Sequence, residues 1–398
     1  MPIPSPFHER TQPLCTSYRW KDWAGYCAVS SYDTTHEREY FAFRESAGLL
    51  DVTPLYKYEV SGPDAQALLT RMMVRDVSKL KVGRVAYSCW CDDDGKVIDD
   101  GTVSRLGETH FRVTAADPTL HWLHALSRGL DVTIEDSSAR LAALALQGPT
   151  SRNILRDASD ADMDALKFFG VTRARIAGGI PVWISRTGYT GDLGYEVWSE
   201  REDALAVWDA LMAAGQRHGI EPAGLDALDV VRIEAGFILL AVDYFSSHKV
   251  VLESRKSTPL ELGFGWMVDL ERGNFIGRDA IAAEMKRGSV WHLVGLEVSW
   301  EELETLYGSF NLPPSLPATA RRDALPIYDD NGRQVGQATS HTWSPLLKKY
   351  LAIASVRPGS EAKGTKLQIE HTVEYERRKV TATVAPLPFF DPERKRKP

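Results

Sequence analysis

Hydrophobic positions along the first hundred residues follow two spacings, one typical of helices and one typical of strands. Residues 36–50 carry Tyr, Phe, Ala and Leu every three or four positions, which predicts an amphipathic helix that ends near Gly48. Residues 55–60 alternate as a strand, and the Gly-Pro-Asp break that follows starts a helix over 64–73. Two alternating runs on either side of the Asp-Asp-Asp-Gly turn at 92–95 predict a hairpin.

A second block, beginning near residue 141, repeats this alternation of strands, a hairpin and helices. It contains a predicted strand at 141–146, a hairpin at 182–198, and helices at 202–218 and 224–236. Neither block has the regular strand–helix–strand spacing of a doubly wound sheet. The pattern therefore predicts an α+β fold with two similar halves.

The last hundred residues have a different character. From residue 294 the chain is rich in strand patterns punctuated by Gly and Pro, and the proline-rich stretch 311–317 predicts a long loop. We therefore expect one domain over 1–288 and a second, strand-rich domain over 289–398.

Composition and charge exclude several classes of protein. There are 47 basic and 54 acidic residues, a net charge of −7, so the chain lacks the basic balance of most nucleic-acid-binding proteins. No run reaches the ~20 apolar residues of a membrane span, and the proline-rich N-terminus has no signal-peptide pattern. These features, with only four cysteines, predict a cytoplasmic protein with reduced thiols. The basic run 394–397 reads as a frayed, solvated tail.

Candidate chemistry is concentrated on the two predicted hairpins, because the histidines are scattered singly and predict no metal site. Asp99 and Asp100 are neighbours in a strand, so alternation points their carboxylates to opposite faces, one of which can line a pocket. Residues 186–196 read R-T-G-Y-T-G-D-L-G-Y-E. The glycines allow an open backbone, Tyr189 could stack on a flat ring, and Glu196 could accept paired N–H donors. A plain hairpin and surface acids are the alternatives that remain open.

The 186–196 segment resembles the signature of the glycine-cleavage T-protein, or aminomethyltransferase, superfamily. Further segments match in order over roughly residues 20–360. They are L-D-V-T at 50–53, G-K-V-I-D-D at 95–100, L-Q-G-P at 146–149, 224–236, 258–266, N-F-I-G-R at 274–278 and S-P-L-L-K-K at 344–349. The resemblance implies two interlocked α+β subdomains that bind folate, followed by a C-terminal β-barrel.

By this resemblance the chain is a tetrahydrofolate-dependent one-carbon transferase that needs no metal. Asp99 would be the catalytic carboxylate near the reacting folate nitrogens. Glu196 would hold the pterin, and Tyr87 and Tyr189 would line the folate cavity. Arg232 would either meet the folate glutamate carboxylate or brace Glu234 on its own helix, and the sequence leaves both open.

The chain departs from the T-protein pattern where the donor should be recognised. Residues 111–118 lack the family's asparagine, the segment after 232–236 reads A-V-D in place of G-N-D, and 299–325 is long. These departures favour a folate-dependent methyltransferase or demethylase whose partner is a small methylated donor. One alternative is a true aminomethyltransferase that uses an aminomethyl-lipoyl carrier protein. Another is a non-catalytic folate-binding accessory protein of iron–sulfur assembly.

Overall fold

The computed structural model describes residues 1–317 and 319–397, so that Ala318 and Pro398, the last residue of the predicted second domain, lie outside it. The α-helices are α1 His8–Leu14, α2 Glu37–Glu45, α3 Ala65–Met72, α4 Leu120–Leu126, α5 Ser151–Ala158, α6 Ala204–Gly215, α7 Leu225–Glu234, α8 Arg278–Arg287 and α9 Trp300–Gly308. The strands are β1 Ile3–Pro4, β2 Arg19–Trp23, β3 Tyr26–Ser31, β4 Ala47–Asp51, β5 Tyr56–Ser61, β6 Arg84–Cys91, β7 Val97–Gly107, β8 His110–Ala115, β9 Thr133–Asp136, β10 Leu141–Gln147, β11 Val171–Ile176, β12 Ile180–Ser185, β13 Gly194–Glu200, β14 Ile220–Pro222, β15 His292–Val298, β16 Leu325–Tyr328, β17 Gln334–Ser344, β18 Lys349–Val356, β19 Lys366–Val373 and β20 Glu376–Ala385.

Three large β-structures organise the chain, beside a small sheet with the order β1-β3-β2. A five-stranded sheet has the order β6-β7-β8-β5-β9, and a six-stranded sheet has the order β11-β12-β13-β10-β4-β14. The strands β15 to β20 close a barrel in the order β15-β18-β17-β16-β19-β20. The predicted α+β class with a C-terminal β-barrel is therefore confirmed. The barrel's first strand begins at His292, and the boundary at 288/289 stays a prediction.

The helix predicted over 36–50 is shorter than expected. It ends at Glu45, and residues 47–51 form β4, which lies between β10 and the short parallel strand β14. Pairing with these two strands takes the chain out of the helix, and Gly48 lets the strand pack closely, because a Cβ there would lie 2.4 Å from the Phe43 ring. The helix and the strand that follows it thus pack face to face, a contact that apolar spacing alone does not show.

Helix α7 joins the two halves and the barrel at the centre of the molecule. The Glu234 carboxylate at its end accepts hydrogen bonds from Arg44 of α2 (2.8 and 2.5 Å), from Tyr40 (2.6 Å) and from Ser344 of the barrel (2.5 Å). Arg44 and Glu234 are fully buried. Such a pair is retained only when every polar atom has a partner, as here.

The barrel also shares a hydrophobic cluster with the first two hundred and eighty residues. Leu351 and Ile353 of β18 are fully buried against Ile233 of α7 and Phe264. Other residues of β18 face the barrel's own core, as strand alternation requires. The interface is therefore a continuous apolar seam.

The basic run 394–397 is not frayed, which corrects the sequence expectation. Arg394 donates two hydrogen bonds of 2.7 Å to the Asp192 carboxylate, whose side chain has no exposed surface. The Lys395 ammonium lies 5.2 Å from the centre of the Phe237 ring. A buried carboxylate is costly unless a cation pairs with it, and Asp192 recruits that cation from the far end of the chain.

Two further observations bear on the class of protein. No helix within residues 1–317 and 319–397 is long and apolar enough to cross a membrane. The four cysteines, at 15, 27, 89 and 91, carry free thiols.

Candidate functional site

The two neighbouring aspartates of β7 face opposite sides of the five-stranded sheet, as alternation predicts. Asp99 has no exposed surface, and its carboxylate accepts the backbone N–H groups of Asp100 (2.8 Å), Ala116 (3.0 Å) and Asp117 (2.9 Å). Burial and the nearby Asp100 charge raise its pKa. Its lone pairs are thus committed to holding the turn that follows β8.

Asp100, not Asp99, faces the centre of the molecule. Its carboxylate accepts the hydroxyl of Tyr87 at 2.7 Å and that of Tyr244, and the Tyr87 ring lies edge-on to Phe264 at 5.6 Å. Burial raises the pKa of Asp100, while the two hydroxyls favour its ionised form and oppose that shift. The register of β7 therefore turns Asp100 toward the two tyrosines and Asp99 toward the turn at 116–117, and the catalytic role of Asp99 stays a prediction.

The segment 186–196 is held from beneath by one side chain. The Gln147 amide donates to the carbonyls of Thr187 (3.1 Å) and Tyr195 (3.0 Å), and its oxygen accepts the Thr190 hydroxyl at 3.0 Å. A Cβ at Gly188 or Gly194 would lie 1.9 or 2.1 Å from the Gln147 oxygen. These glycines are therefore required by close approach.

Glu196 presents one unoccupied acceptor. Its Oε2 accepts the hydroxyls of Thr187 at 2.7 Å and Ser185 at 3.4 Å, whereas among the described residues Oε1 has no hydrogen-bond partner. Burial raises the pKa of the Glu196 carboxyl, and the two hydroxyls oppose the shift. A partly buried carboxylate with one free oxygen is suited to accept N–H donors from a ligand.

Tyr189 lies in the loop that precedes Glu196 along the chain. Its hydroxyl donates to the Ile238 carbonyl, and its ring stacks on Phe237 with a centroid distance of 5.5 Å and an interplanar angle of 28°. Burial raises the pKa of Tyr189, and the charge of Asp100 adds to the shift. Tyr87 and Tyr189 thus lie near Asp100, and Glu196 follows Tyr189 along the chain near the start of β13.

Arg232 does not take part in this group. Its guanidinium donates to Asp229 (2.8 Å), Asp243 (2.7 Å) and Ser340 (2.7 Å), and only 1% of its surface is exposed. These contacts do not include Glu234, which is bonded to Arg44, so the bracing role does not fit, whereas a contact with the folate glutamate carboxylate stays a prediction. Arg232 instead ties α7 to the loop that follows it and to the barrel.

Two residues of the site were not identified from the sequence. Tyr244 follows the A-V-D segment that stands where the T-protein pattern has G-N-D. Nothing in that sequence difference indicates that the Tyr244 hydroxyl reaches Asp100. Gln147 belongs to the L-Q-G-P match, and a glutamine preceding a glycine after a buried strand was the available signal.

A separate groove of about 770 Å³ lies between the two sheets and is lined by other residues. Its acidic groups already have partners: Glu59 pairs with Arg112 at 2.7 Å, and Glu135 and Glu200 pair with Arg140 at 3.1 and 2.6 Å. Asp160 accepts the backbone N–H of Arg175. Within the described part of the chain, no group of three His, Cys, Asp or Glu side chains could hold a metal ion. The Asp100–Glu196 region remains the candidate site.

Comparison with known proteins agrees with the observed fold. Residues 9–272 match the family model described as the GCVT N-terminal domain, and residues 312–391 match the glycine cleavage T-protein C-terminal barrel domain. A crystal structure of glycine cleavage system aminomethyltransferase T from Bartonella henselae superimposes with a TM-score of 0.83 at 24% identity, covering 98% of this chain and 99% of that one.

Two curated relatives extend the comparison. An aminomethyltransferase of Geobacillus sp. (strain WCH70) is 33% identical over 359 residues, which are 89% of this chain and 90% of the relative. Trimethylamine-oxide aldolase of Ruegeria pomeroyi is 36% identical over 371 residues. The match covers 90% of this chain but spans only 43% of that relative's length. Both relatives are named as enzymes.

Proposed function

The chain belongs to the glycine cleavage T-protein family of aminomethyltransferases, and on that premise we propose that it is a tetrahydrofolate-dependent one-carbon transferase acting on a small methylated donor. The observation that carries the proposal is a Glu196 carboxylate whose Oε1 has no hydrogen-bond partner among the described residues, in the segment whose Tyr189 lies near the tyrosine-bonded Asp100. Bound tetrahydrofolate would supply the nitrogen that accepts the one-carbon unit.

Glu196 fits the pterin end of such a cofactor. Its free Oε1 and its hydroxyl-bonded Oε2 together form an acceptor pair, and a pterin presents adjacent ring and amino N–H donors. Tyr189 offers the edge of a stacked aromatic pair beside it. The residues present therefore suit the cofactor, with Glu196 as anchor and Tyr189 as part of the wall.

Asp100 supplies charge where the transfer would take place. Two tyrosine hydroxyls hold its carboxylate in one orientation and favour its ionised form. In a water-poor site a fixed negative charge strongly stabilises positive charge that develops beside it, a contribution typically worth about 10²–10³ in turnover. Asp100 is thus our proposal for the catalytic carboxylate, in place of Asp99.

The donor is proposed to be a methylated amine or amine oxide. The relative from Ruegeria pomeroyi is named for trimethylamine oxide, and the A-V-D-Y departure that places Tyr244 on Asp100 supports a donor other than a protein-bound one. The Geobacillus relative supports the second candidate, an aminomethyltransferase that takes its one-carbon unit from an aminomethyl-lipoyl carrier.

The test begins with binding and then separates the two donors. Isothermal titration of tetrahydrofolate into the protein should give a saturable heat of binding. The affinity obtained from it should fall at least tenfold in Glu196→Ala. Turnover is then measured with trimethylamine, its oxide and dimethylglycine in parallel with an aminomethylated lipoyl carrier. Product formation from the carrier alone would reject the small-donor proposal, and no heat with tetrahydrofolate would reject both.

A further inference from the structure

The 386–397 segment crosses the molecule and binds the signature loop 186–192 at both of its ends. At the far end, Arg394 makes the two hydrogen bonds to Asp192 described above. At the near end, the buried Arg186 guanidinium donates to the carbonyls of Arg394 (3.4 Å), Lys395 (3.1 Å) and Lys397. A cation on one side and an anion on the other therefore grip a single short segment.

The contacts are chemically complementary in each direction. Residues 393–395 form a short 3₁₀ turn whose last carbonyls have no partners within the turn, and such carbonyls favour a cation. Arg186 makes no ion pair within the described residues, and its other acceptor is the Leu166 carbonyl at 3.1 Å. Asp192 makes a second, longer ion pair with Arg44, at 3.8 Å. The loop and the segment thus satisfy each other's buried charges.

Between these two anchors lie the residues that face the candidate site. Thr187 holds Glu196, and Tyr189 stacks on Phe237, whose ring in turn lies beneath the Lys395 ammonium. Phe390 extends the contact inward, because its N–H donates to the Glu234 carbonyl at 2.8 Å and its ring lies 4.2 Å from the Arg44 guanidinium. The segment therefore covers the outer side of the loop whose inner side bears the site.

We propose that the 386–397 segment is a strap that holds the 186–192 loop in its ligand-binding conformation, so that Arg186, Asp192 and Arg394 are positioning residues for the folate site. This inference rests on the proposed function. Its consequence is reciprocal: if the docked strap raises folate affinity by some factor, bound folate stabilises the docked strap by the same factor.

The test compares Arg394→Ala with Arg396→Ala. Both side chains are about half-exposed, but the Arg396 side chain pairs with the partly exposed Asp391 and makes no hydrogen bond or ion pair with the 186–192 loop within residues 1–317 and 319–397. Hydrogen exchange of the ligand-free protein should be at least tenfold faster over 187–193 in Arg394→Ala and unchanged in Arg396→Ala. Tetrahydrofolate affinity should fall at least tenfold in the first variant and remain at the wild-type value in the second.

Two further measurements separate positioning from simple stability. Adding tetrahydrofolate to the wild type should slow exchange over 386–397, and Asp192→Asn combined with Arg394→Ala should weaken binding no more than Asp192→Asn alone. Faster loop exchange without any loss of affinity would overturn the positioning role. So would identical behaviour of the two arginine variants. If the wild type binds no folate, the proposed function fails, and the exchange data alone decide whether the strap orders the loop.

Discussion

Exchanging each aspartate of the β7 pair for asparagine should give opposite results. Asp100→Asn keeps the shape and leaves the local contacts intact, because the amide oxygen can accept one tyrosine hydroxyl while the amide N–H₂ donates to the other. What is lost is the negative charge. We expect turnover to fall by about 10²–10³ with folding stability little changed.

Asp99→Asn should act on stability instead. One carboxylate oxygen accepts Asp100 N–H and the other accepts both Ala116 and Asp117 N–H. The asparagine amide has a single acceptor oxygen. In its best orientation this oxygen accepts the N–H groups of Ala116 and Asp117, and the amide NH₂ then faces the N–H of Asp100, which is left without an acceptor. One buried N–H without an acceptor costs about 1–3 kcal/mol, and we expect a loss of that size with turnover within a few-fold of wild type.

The assay measures turnover with a donor that the wild type accepts, together with urea unfolding of both variants. Turnover is compared at saturating folate, so that a change in binding does not mimic a change in rate. The reasoning is refuted if Asp99→Asn loses a hundredfold in turnover at wild-type stability while Asp100→Asn remains active. That result would return the catalytic role to Asp99.

Other substitutions test the roles of Glu196, Arg232 and Gly194. Glu196→Gln should weaken tetrahydrofolate about 10- to 100-fold with a smaller effect on turnover, since hydrogen bonds to a charged group contribute about 1.5–3 kcal/mol. Burial raises the pKa of Glu196, so its carboxylate gains a proton, and loses its capacity to accept, at a pH above the ordinary pKa of 4.5. The affinity of the wild type for tetrahydrofolate should therefore decline as the pH is lowered, with a midpoint above 4.5, in titrations across pH 4–8. Arg232→Met should cost about 3–5 kcal/mol in urea unfolding by leaving Asp243 without its cation, whereas Arg322→Met, at a half-exposed position, should cost far less. Gly194→Ala should displace Gln147 and lose about 1–3 kcal/mol of stability together with folate affinity, measured by thermal unfolding and titration.

Much of the architecture was accessible from the sequence because its signals are local. Alternation on either side of the turn at 92–95 predicts the hairpin that carries Asp99 and Asp100, and the structure has it as β6 and β7. The family and its enzymatic character were predicted from motifs in register and are confirmed. Alternation also predicted that the two aspartates diverge.

Which aspartate meets the tyrosine hydroxyls could not be predicted from the sequence, because the answer depends on contacts between distant segments. The Asp99 carboxylate is held by backbone N–H groups of the turn at 116–117, and the Asp100 carboxylate by the hydroxyl of a tyrosine 144 residues further along the chain. The helix predicted through Gly48 failed for a similar reason, since β4 exists only because β10 and β14 flank it. Arg394 looked solvated because its partner, Asp192, lies in a loop two hundred residues earlier.

The apolar seam formed by Leu351 and Ile353 bears on how such proteins can diversify. A barrel whose outer wall is also part of its neighbour's interior cannot be exchanged as an independent module, because a foreign barrel would bring side chains of the wrong volume to a close-packed surface. Recombination within this lineage should therefore favour whole-chain inheritance or fusion to additional domains. Sequence change would then accumulate in loops such as the one bearing Tyr244, with the seam left intact.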